Sequence, residues 1–349
     1  MIRLAWPDTG EAESEAVAEV LESGRLTMGP RVTEFEGLVA QACGVEHALA
    51  VSSGTAALYL AILALKLQPG DEVIVPAYTF PATANVVALA GLKPVLVDVD
   101  PETMNIDPGR VEPVRRTKAV IAVHLFGRPA RVDELPTVTL VEDAAGALGA
   151  RRGDRPCGGL GLVGCQSFHP RKIVTTGEGG AVTTNDASLA DAVRQLRNHG
   201  WKQPGLTDMP VAGLNFRLSD ILCAVGIPQL RRLEELLAAR ERIAAGYAER
   251  LAGLPVLLPA ADEGDRHGWQ AYVIQLDGRD DALAALRAKG IEAQIGTYAL
   301  HRLSAYADQG PFPGADRVYE RALALPFHSR LTDSDLDRVA EALTSVVSE

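Results

Sequence analysis

The stretch Ser167–Val182, "SFHPRKIVTTGEGGAV", holds one lysine, Lys172, between two apolar segments. Pro170 disfavours a helix here, and the glycines from Gly177 to Gly180 end any regular element that follows. A solvated lysine is more often found on a charged helix face, among neighbours of both signs. A lysine on a glycine-bounded loop therefore suggests a chemical role, which the rest of the sequence has to explain.

Length and composition describe a globular protein that is too long for one core. The chain has 349 residues, of which 47% are hydrophobic and 23% are charged, and two domains are the usual outcome at this length. No apolar run approaches the roughly 20 residues that a membrane helix needs. The start, "MIRLAWPDTG", has no signal-peptide pattern, so we expect a cytoplasmic protein.

Charge and cysteine usage argue against several kinds of partner and site. The net charge is −11 and no long Lys/Arg block interrupts it, which argues against nucleic acid and anionic membranes as partners. The four cysteines are scattered, without a C-x-x-C pair. We therefore expect reduced thiols, with neither a disulfide framework nor a metal site.

Strand-like and helix-like segments alternate through the first two-thirds of the chain. Four short apolar segments have the pattern of buried strands: "DEVIVP", "KPVLVDVD", "KAVIAVHLFG" and "TVTLVEDAAG". Two segments between or before them have helical periodicity: "TAALYLAILALKLQPG" and "PATANVVALAG". This alternation predicts an α/β fold with a mostly parallel sheet, in which ligands bind beyond the carboxyl ends of the strands.

A different pattern follows a long helical segment at residues 218–253, which we expect to be interrupted near Pro228. It consists of a strand, a helix and a strand: "WQAYVIQLDG", "DDALAALRAKG" and "IEAQIGTY". A last helix opens at Thr332 with a capping-box-like T-x-x-D start. The change of pattern predicts a large first domain and a smaller C-terminal α+β domain: residues 1–230 and residues 231–349.

The segment Gly159–Gly164, "GLGLVG", satisfies the dinucleotide-binding pattern G-x-G-x-x-G. That motif works only between a strand and a helix. Here "RRGDRPCG" precedes it and "CQSFHP" follows it, and neither fits. We therefore predict a turn at this segment, ahead of the loop that carries Lys172.

The segment Val51–Leu58, "VSSGTAAL", is a better candidate for binding a phosphate. Its small residues join a strand-like segment to a helix, so that free backbone N–H groups and the hydroxyls of Ser53 and Thr55 lie at a helix N-terminus. The helix dipole favours an anion at this position. A plain Ser/Thr N-cap explains the same residues equally well.

Two further candidates follow predicted strands. Phe80 is either a core aromatic or a flat face on which a planar cofactor ring stacks. Asp143, beside Glu142, is either a cap or surface charge, or the partner of a protonated heteroaromatic nitrogen. Together with the phosphate cradle and Lys172, these residues suit pyridoxal phosphate (PLP), whose aldehyde forms a Schiff base with a lysine and whose pyridinium needs a carboxylate partner.

The sequence resembles the DegT/StrS-type sugar aminotransferases, a PLP-dependent family, over nearly the whole chain. The resemblance is carried by a series of segments in family order: "SGRLTMGPRVTEFE", "VSSGTAAL", "PGDEVIVPAYTFPATANVV", "PVLVDVDPETMNID", "VHLFG", "VEDAAGALGA", "SFHPRKIVTTGEGG", "LRNHG" and "NFRLSDILCAVGIPQL". It implies the aspartate-aminotransferase-like fold and a homodimer with shared active sites. The reaction it implies moves an amino group from L-glutamate to a keto group of a nucleotide-linked deoxysugar.

The resemblance also implies roles for individual residues. Lys172 matches the family's Schiff-base lysine, Asp143 the partner of the pyridinium nitrogen, and Phe80 the ring-stacking aromatic. The remaining matches are to residues that contact the cofactor phosphate, the last of them from the other subunit: Gly54, Thr55, Ser167 and Asn215. Since keto-sugar dehydratases of this type replace the lysine with histidine, Lys172 argues against dehydration.

One position departs from the family pattern. Three residues after the aspartate, better-known members carry a glutamine or histidine near the phenolic oxygen of the cofactor, whereas this chain has Gly146. We expect a water to take the place of that side chain. A competing interpretation is that glycine is needed for the backbone conformation or for the approach of substrate.

Other functions stay open at this point. One is amination of a keto-cyclitol or an antibiotic precursor, and another is a relative that keeps the fold and has lost catalysis. Five residues are candidates for the substrate side, although each is as readily explained by a structural role: His169, Arg171, Arg217, Tyr298 and His301.

Overall fold

The computed structural model describes residues 1–202 and 208–347 of the chain. The strands within these residues are short: β1 (His47–Val51), β2 (Glu72–Pro76), β3 (Tyr78–Thr79), β4 (Lys93–Val97), β5 (Thr117–Val123), β6 (Thr139–Asp143), β7 (Arg151–Arg152), β8 (Arg155–Pro156), β9 (Val163–Ser167), β10 (Gly180–Thr184), β11 (Tyr272–Gln275), β12 (Gln294–Ile295), β13 (Tyr298–Ala299) and β14 (Ala322–Leu325).

Helices precede, separate and follow these strands in the order of the chain. Their bounds are α1 (Glu11–Ser23), α2 (Pro30–Cys43), α3 (Gly54–Ala64), α4 (Ala82–Leu89), α5 (Ala187–Leu196), α6 (Asp220–Arg231), α7 (Leu233–Leu251), α8 (Arg279–Ala288), α9 (Pro313–Arg321) and α10 (Asp333–Val347). Within the described ranges, none of them has the length and the apolar character that crossing a membrane requires.

Seven strands form the central sheet, in the order β1-β10-β9-β6-β5-β2-β4. Strands β9, β6, β5, β2 and β4 are parallel, and β10 is antiparallel to both of its neighbours. The predicted strands and the mostly parallel sheet are therefore confirmed. Because β1 runs in the same direction as β9, the carboxyl ends of three strands meet at one edge: Val51, Asp143 and Ser167.

Helix α3 covers this sheet and begins at the carboxyl end of β1. The Oγ of Ser53 caps the helix by accepting a hydrogen bond from the N–H of Ala56 at 3.0 Å. Most of its residues are buried, which explains why the helix is apolar on every face. The helix predicted from "TAALYLAILALKLQPG" is thus present, and its N-terminus faces the same sheet edge as Asp143.

The interruption predicted near Pro228 is present, about one helical turn further on, at Arg232. Pro228 lies inside α6, which continues to Arg231, and the chain bends at Arg232 before α7 begins. A proline removes one backbone hydrogen bond from the helix ladder. The buried side chain of Gln229 helps to fix this turn, because its Nε2 donates to the carbonyl of Val225 at 2.7 Å.

A second core lies in the C-terminal part of the chain. Its three-stranded antiparallel sheet has the order β11-β14-β12, and α7, α8 and α10 contribute buried apolar residues to the core. The predicted strand "IEAQIGTY" is divided into β12 and β13, and β13 pairs instead with β3. The capping box of α10 is present, since Thr332 and Asp335 exchange hydrogen bonds. The domain boundary at residue 230 stays a prediction.

Candidate active site

A cavity of about 660 Å³ lies at the carboxyl ends of the central strands, where residues of the C-terminal part close it. It collects residues that are far apart in the sequence. Six of the seven predicted cofactor-binding residues line it: Gly54, Thr55, Phe80, Asp143, Ser167 and Lys172. The structure therefore brings these six residues together around one cavity.

The wall formed by the start of α3 has the properties of a phosphate cradle. A Cβ atom added to Gly54 would lie only 2.7 Å from the Cβ of Ser167, so glycine is needed for β9 to approach the helix this closely. Ser53 and Thr55 flank that glycine and also line the cavity. The free N–H groups of an eleven-residue helix therefore face the cavity beside hydroxyl groups, an arrangement that favours an anion.

Lys172 lies on the predicted loop, between β9 and β10, and the loop is firmly anchored. The N–H of Lys172 donates to the carbonyl of His169 at 2.8 Å, and the hydroxyl of Thr175 donates to the carbonyl of Phe168 at 2.9 Å. The carboxamide of Gln229 binds both the N–H and the carbonyl of Thr175, at 3.0 and 2.8 Å. These contacts hold the lysine side chain toward the cavity.

The surroundings of Lys172 favour its neutral amine. Burial lowers the pKa of the amine, the charge of Asp143 opposes that shift, and the charge of Arg171 adds to it. Within the described residues, the amine has no hydrogen-bond or ion-pair partner. A neutral amine is the nucleophilic form, so the site is suited to bonding with a carbonyl carbon.

Asp143 ends β6 as a buried carboxylate with two fixed partners. The hydroxyl of Thr83 donates to its Oδ2 at 2.7 Å, and the N–H of Ala145 donates to its Oδ1 at 3.2 Å. The carboxylate is 6% exposed and lines the cavity, which excludes the interpretation as a surface charge. Its orientation leaves acceptor capacity for a further donor in the cavity.

The neighbouring Glu142 has a structural role that the sequence did not reveal. Its carboxylate accepts hydrogen bonds from the N–H groups of Gly158, Leu160 and Gly161, each at 2.7 Å, and from His124 at 2.9 Å. Burial opposes ionisation, yet the hydrogen bonds from His124 and the amides hold the pKa of Glu142 below its usual value. The first part of "GLGLVG" thus bends ahead of β9 and binds an internal carboxylate, whereas Gly164 lies within β9.

Phe80 is directed to the cavity and not to the core. It lies between β3 and α4 and is 60% exposed, which is unusual for an aromatic side chain of the core. Its ring centroid is 6.3 Å from that of Tyr298 in an edge-to-face arrangement. The structure therefore favours the interpretation of Phe80 as a face for stacking.

Four predicted site residues do not line the cavity of this chain: Asn215, Arg217, Tyr298 and His301. Arg217 donates to the side chain of Asn198 at 2.7 Å, and Tyr298 is held in the β3–β13 pair. His301 hydrogen-bonds with Asp316 at 3.0 Å. Each of these last three residues has a local partner in this chain, and their place on the substrate side stays a prediction.

The remaining substrate candidates, His169 and Arg171, do line the cavity. Burial lowers the pKa of His169, which Glu178 opposes, so its imidazole is neutral at physiological pH. The guanidinium of Arg171 donates to Gln294 at 3.0 Å and has no carboxylate partner in the described part of the chain. An uncompensated guanidinium at the cavity is suited to an anionic ligand.

Gly146 lines the cavity, and the side chain of Gln270 lies beside it. A Cβ atom added to Gly146 would lie 3.4 Å from the Oε1 of Gln270 and 3.5 Å from its Cβ and Cγ. Gln270 is thus the side chain nearest to this position, and the prediction that a water takes the place of the missing side chain stays a prediction. Sequence reasoning missed Gln270, since the pattern around "HGWQAY" does not link it to position 146.

These features can be tested against the demands of PLP. The cofactor has a phosphate, a ring nitrogen, an aldehyde and a flat ring. The cavity offers a helix N-terminus, a buried carboxylate, a buried lysine amine whose pKa is lowered, and an exposed aromatic face. The close approach at Gly54 brings the hydroxyl of Ser167 beside the N-terminus of α3, so that hydroxyl and amide donors for a phosphate lie together. The residues therefore fit PLP. Once bound, this group supplies an aldehyde for bonding to amines and a ring that withdraws electrons.

Comparison with known proteins agrees with this fit. The DegT/DnrJ/EryC1/StrS aminotransferase family matches residues 7–344. A GDP-perosamine synthase from Caulobacter vibrioides is 39% identical over 364 aligned residues, which cover 99% of this chain and 98% of the relative.

Solved structures with the same fold include two similar proteins. TlmJ, an aminotransferase from Streptoalloteichus hindustanus, has a TM-score of 0.96 at 35% identity. The match covers 100% of this chain and 99% of the TlmJ chain. DesI, solved in the presence of its TDP-sugar product, has a TM-score of 0.93 at 36% identity. The match covers 100% of this chain and 93% of the DesI chain. The predicted PLP-aminotransferase fold class is confirmed.

The similarity spans almost the entire chain, in sequence and in structure. The cavity residues also match the chemistry that such enzymes require. The chain belongs to the DegT/DnrJ/EryC1/StrS aminotransferase family and is a PLP-dependent aminotransferase.

Proposed function

We propose that this aminotransferase moves an amino group from L-glutamate to a keto group of a nucleotide-linked deoxysugar. The observation that carries the proposal is the cavity in which Lys172 and Asp143 face a phosphate cradle. The names of the relatives support the substrate class, because one is a GDP-perosamine synthase and another was solved with a TDP-sugar product.

The residues divide the work of the reaction among them. Lys172 would hold the cofactor through its amine, and the same amine can carry a proton as general acid and base. The carboxylate of Asp143, fixed by Thr83 and Ala145, would hold the ring nitrogen and favour its protonated form. Ser53, Thr55 and Ser167 would hold the phosphate, and Phe80 would cover the ring.

We propose that Arg171 and His169 face the substrates. Both substrates carry anionic groups, and Arg171 lines the cavity without a carboxylate partner among the described residues. Arg171→Ala should then raise the KM for L-glutamate or for the nucleotide sugar about tenfold or more, as expected for one charge-assisted hydrogen bond. Unchanged KM values for both substrates would assign Arg171 to the structural contact with Gln294.

The substrate class can be tested with one panel of acceptors. The purified holoenzyme is incubated with L-glutamate and either nucleotide-linked keto-sugars or keto-cyclitols, and 2-oxoglutarate formation is measured. We expect turnover with at least one nucleotide keto-sugar. Turnover with cyclitols alone would replace the proposed substrate class, and turnover only with another amino donor would exclude L-glutamate.

The proposal includes a homodimer in which Asn215 completes the phosphate site of the other subunit. Leu214 beside it is 58% exposed, and Leu26 and Met28 flank a backbone bridge between Thr27 and Ser219. Apolar side chains are exposed on two segments, residues 26–28 and 209–214, which supports an interface between two copies of the chain: Leu26, Met28, Met209, Val211 and Leu214.

A mixing experiment tests the shared site. Lys172→Ala and Asn215→Ala chains are each expected to be inactive, and their mixture should recover part of the activity, because one site of each mixed dimer keeps both residues. Activity is measured after subunit exchange has been shown with differently tagged chains. No recovery in exchanged dimers would place Asn215 in the site of its own chain.

A cytoplasmic location is also proposed. It is supported by four buried cysteines that are all free thiols, in keeping with a reducing compartment. Cell fractionation with antibodies against the chain tests it, and recovery in a membrane or secreted fraction would contradict it.

A further inference from the structure

The side chain of Gln270 connects the two loops that carry Lys172 and Asp143. Its Nε2 donates to the carbonyl of Arg171, the residue before Lys172, at 3.3 Å. Its Oε1 lies 3.4 Å from where a Cβ of Gly146 would be, three residues after Asp143. The carboxamide is therefore part of the cavity wall between these loops.

The backbone of Gln270 is fixed on both sides. Its N–H donates to the carbonyl of Phe126 at 3.0 Å, and its carbonyl accepts from the guanidinium of Arg240 at 3.1 Å. Arg240 is buried and also binds the carbonyl of Trp269 at 2.9 Å. The carboxamide thus extends from a rigid segment and not from a free loop.

Gly146 does not require glycine for its backbone conformation. It is not among the glycines with positive φ, so the backbone of this residue tolerates a side chain. An added Cβ would meet Gln270 at ordinary contact distance, so a longer side chain that extends in this direction would need the space of the carboxamide. Gly146 has no side chain, and the side chain of Gln270 lies in the space beside it. We therefore treat these two positions as a pair.

The chemistry of PLP identifies what such a side chain would contact. The ring carries four polar groups, of which the nitrogen, the phosphate and the aldehyde already have partners in Asp143, the cradle and Lys172. The fourth is the ring hydroxyl, which lies next to the aldehyde and on the side of the ring opposite the phosphate arm. Gln270 lies on the wall that runs from the Lys172 loop to the Asp143 turn, apart from the cradle.

We propose that the carboxamide of Gln270 binds the ring oxygen of the cofactor and thereby orients the ring between Asp143 and Lys172. This inference rests on the proposed assignment of the cofactor site. Gln270 is a cofactor-binding residue contributed by the C-terminal part of the chain, and Gly146 leaves room for it. An amide N–H directed at this oxygen stabilises its ionised form.

The inference predicts a measurable change in cofactor binding for Gln270→Ala. The dissociation constant for PLP should rise about 10- to 100-fold, as expected when one hydrogen bond to a charged group is lost. The visible absorption of the bound cofactor and its pH dependence should also change. Equilibrium dialysis and a spectroscopic pH titration measure the two effects, and circular dichroism shows whether the variant is folded.

Three further variants separate a contact with the cofactor from a structural role. Gln294→Ala removes the other cavity glutamine that contacts Arg171 and is expected to bind PLP with normal affinity and spectrum. Gly146→Gln should bind PLP poorly, because its side chain competes with Gln270 for one space. The double variant Gly146→Gln/Gln270→Ala should recover affinity and spectrum, since the carboxamide then extends from the other position.

A folded Gln270→Ala protein with wild-type PLP affinity and spectrum would overturn the inference. Normal PLP binding by the single Gly146→Gln variant would also overturn it, because the two residues would not share a space. Borohydride labelling of Lys172 in the wild-type protein tests the site assignment separately. Its failure would count against the proposed site as a whole, whereas a labelled Lys172 with an unaffected Gln270→Ala variant would count against Gln270 alone.

Discussion

Lys172→Ala is expected to abolish turnover, with a loss of about a thousandfold or more. The variant lacks both the amine that bonds to the cofactor and the group that carries the proton, and general acid–base catalysis alone accounts for about 10²- to 10⁴-fold. The cradle and Asp143 are unchanged, so PLP should still bind without a covalent bond. Turnover is measured with L-glutamate and an accepted keto-sugar.

Covalent labelling checks the same assignment in the wild-type protein. Borohydride reduction of the holoenzyme, followed by peptide mass spectrometry, should find the cofactor on Lys172. Lys118→Ala is a suitable control, because the Lys118 amine lies at the surface and, among the described residues, donates to the backbone carbonyl of Arg115. A cofactor label on any other lysine, or near-normal turnover of Lys172→Ala, would show that the assignment is wrong.

The parts of the site that follow strand ends could be predicted from the sequence. Asp143 directly follows the apolar run of β6, and Ser53 and Gly54 lie between β1 and α3, so local patterns place them. Lys172 is enclosed by a proline and by glycines within ten residues. In an α/β sheet the carboxyl ends of such strands form one edge, and local motifs at these ends therefore meet.

Contacts between distant segments could not be predicted in this way. The pairing of Gly146 with Gln270 depends on how β11 and its flanking chain approach the central sheet. The hydrogen bonds from the "GLGLVG" turn to Glu142 likewise appear only after folding. The contact of His301 is a further example. A histidine that is free to bind substrate and one that is hydrogen-bonded to Asp316 cannot be distinguished in the sequence.

Asp143→Asn is expected to retain the cofactor and to lose most of the rate. The phosphate cradle and Lys172 remain, so the content of bound PLP, measured after alkaline release, should be close to normal. Each pK unit by which the ring nitrogen becomes less basic corresponds to about 1.4 kcal/mol. A decrease of two units would reduce kcat about 100-fold if the full difference is expressed in the transition state.

The hydrogen bonds around Asp143 explain why the amide is a poor substitute. The N–H of Ala145 requires an acceptor at the position of Oδ1, whereas the hydroxyl of Thr83 can rotate to accept or donate. Asparagine would therefore place its oxygen toward Ala145 and its NH₂ group at the position of Oδ2. An NH₂ group there pairs only with an unprotonated ring nitrogen, which withdraws electrons less strongly.

Thr83→Val provides a graded comparison with the Asp143→Asn variant. It removes one hydrogen bond to the carboxylate but keeps the negative charge, so kcat should fall much less than in Asp143→Asn. Both kcat values are measured at saturating PLP, which separates lost chemistry from lost cofactor. If Asp143→Asn keeps near-normal kcat, the carboxylate only caps the end of β6. If Thr83→Val is as inactive as Asp143→Asn, the position of the carboxylate is as important as its charge.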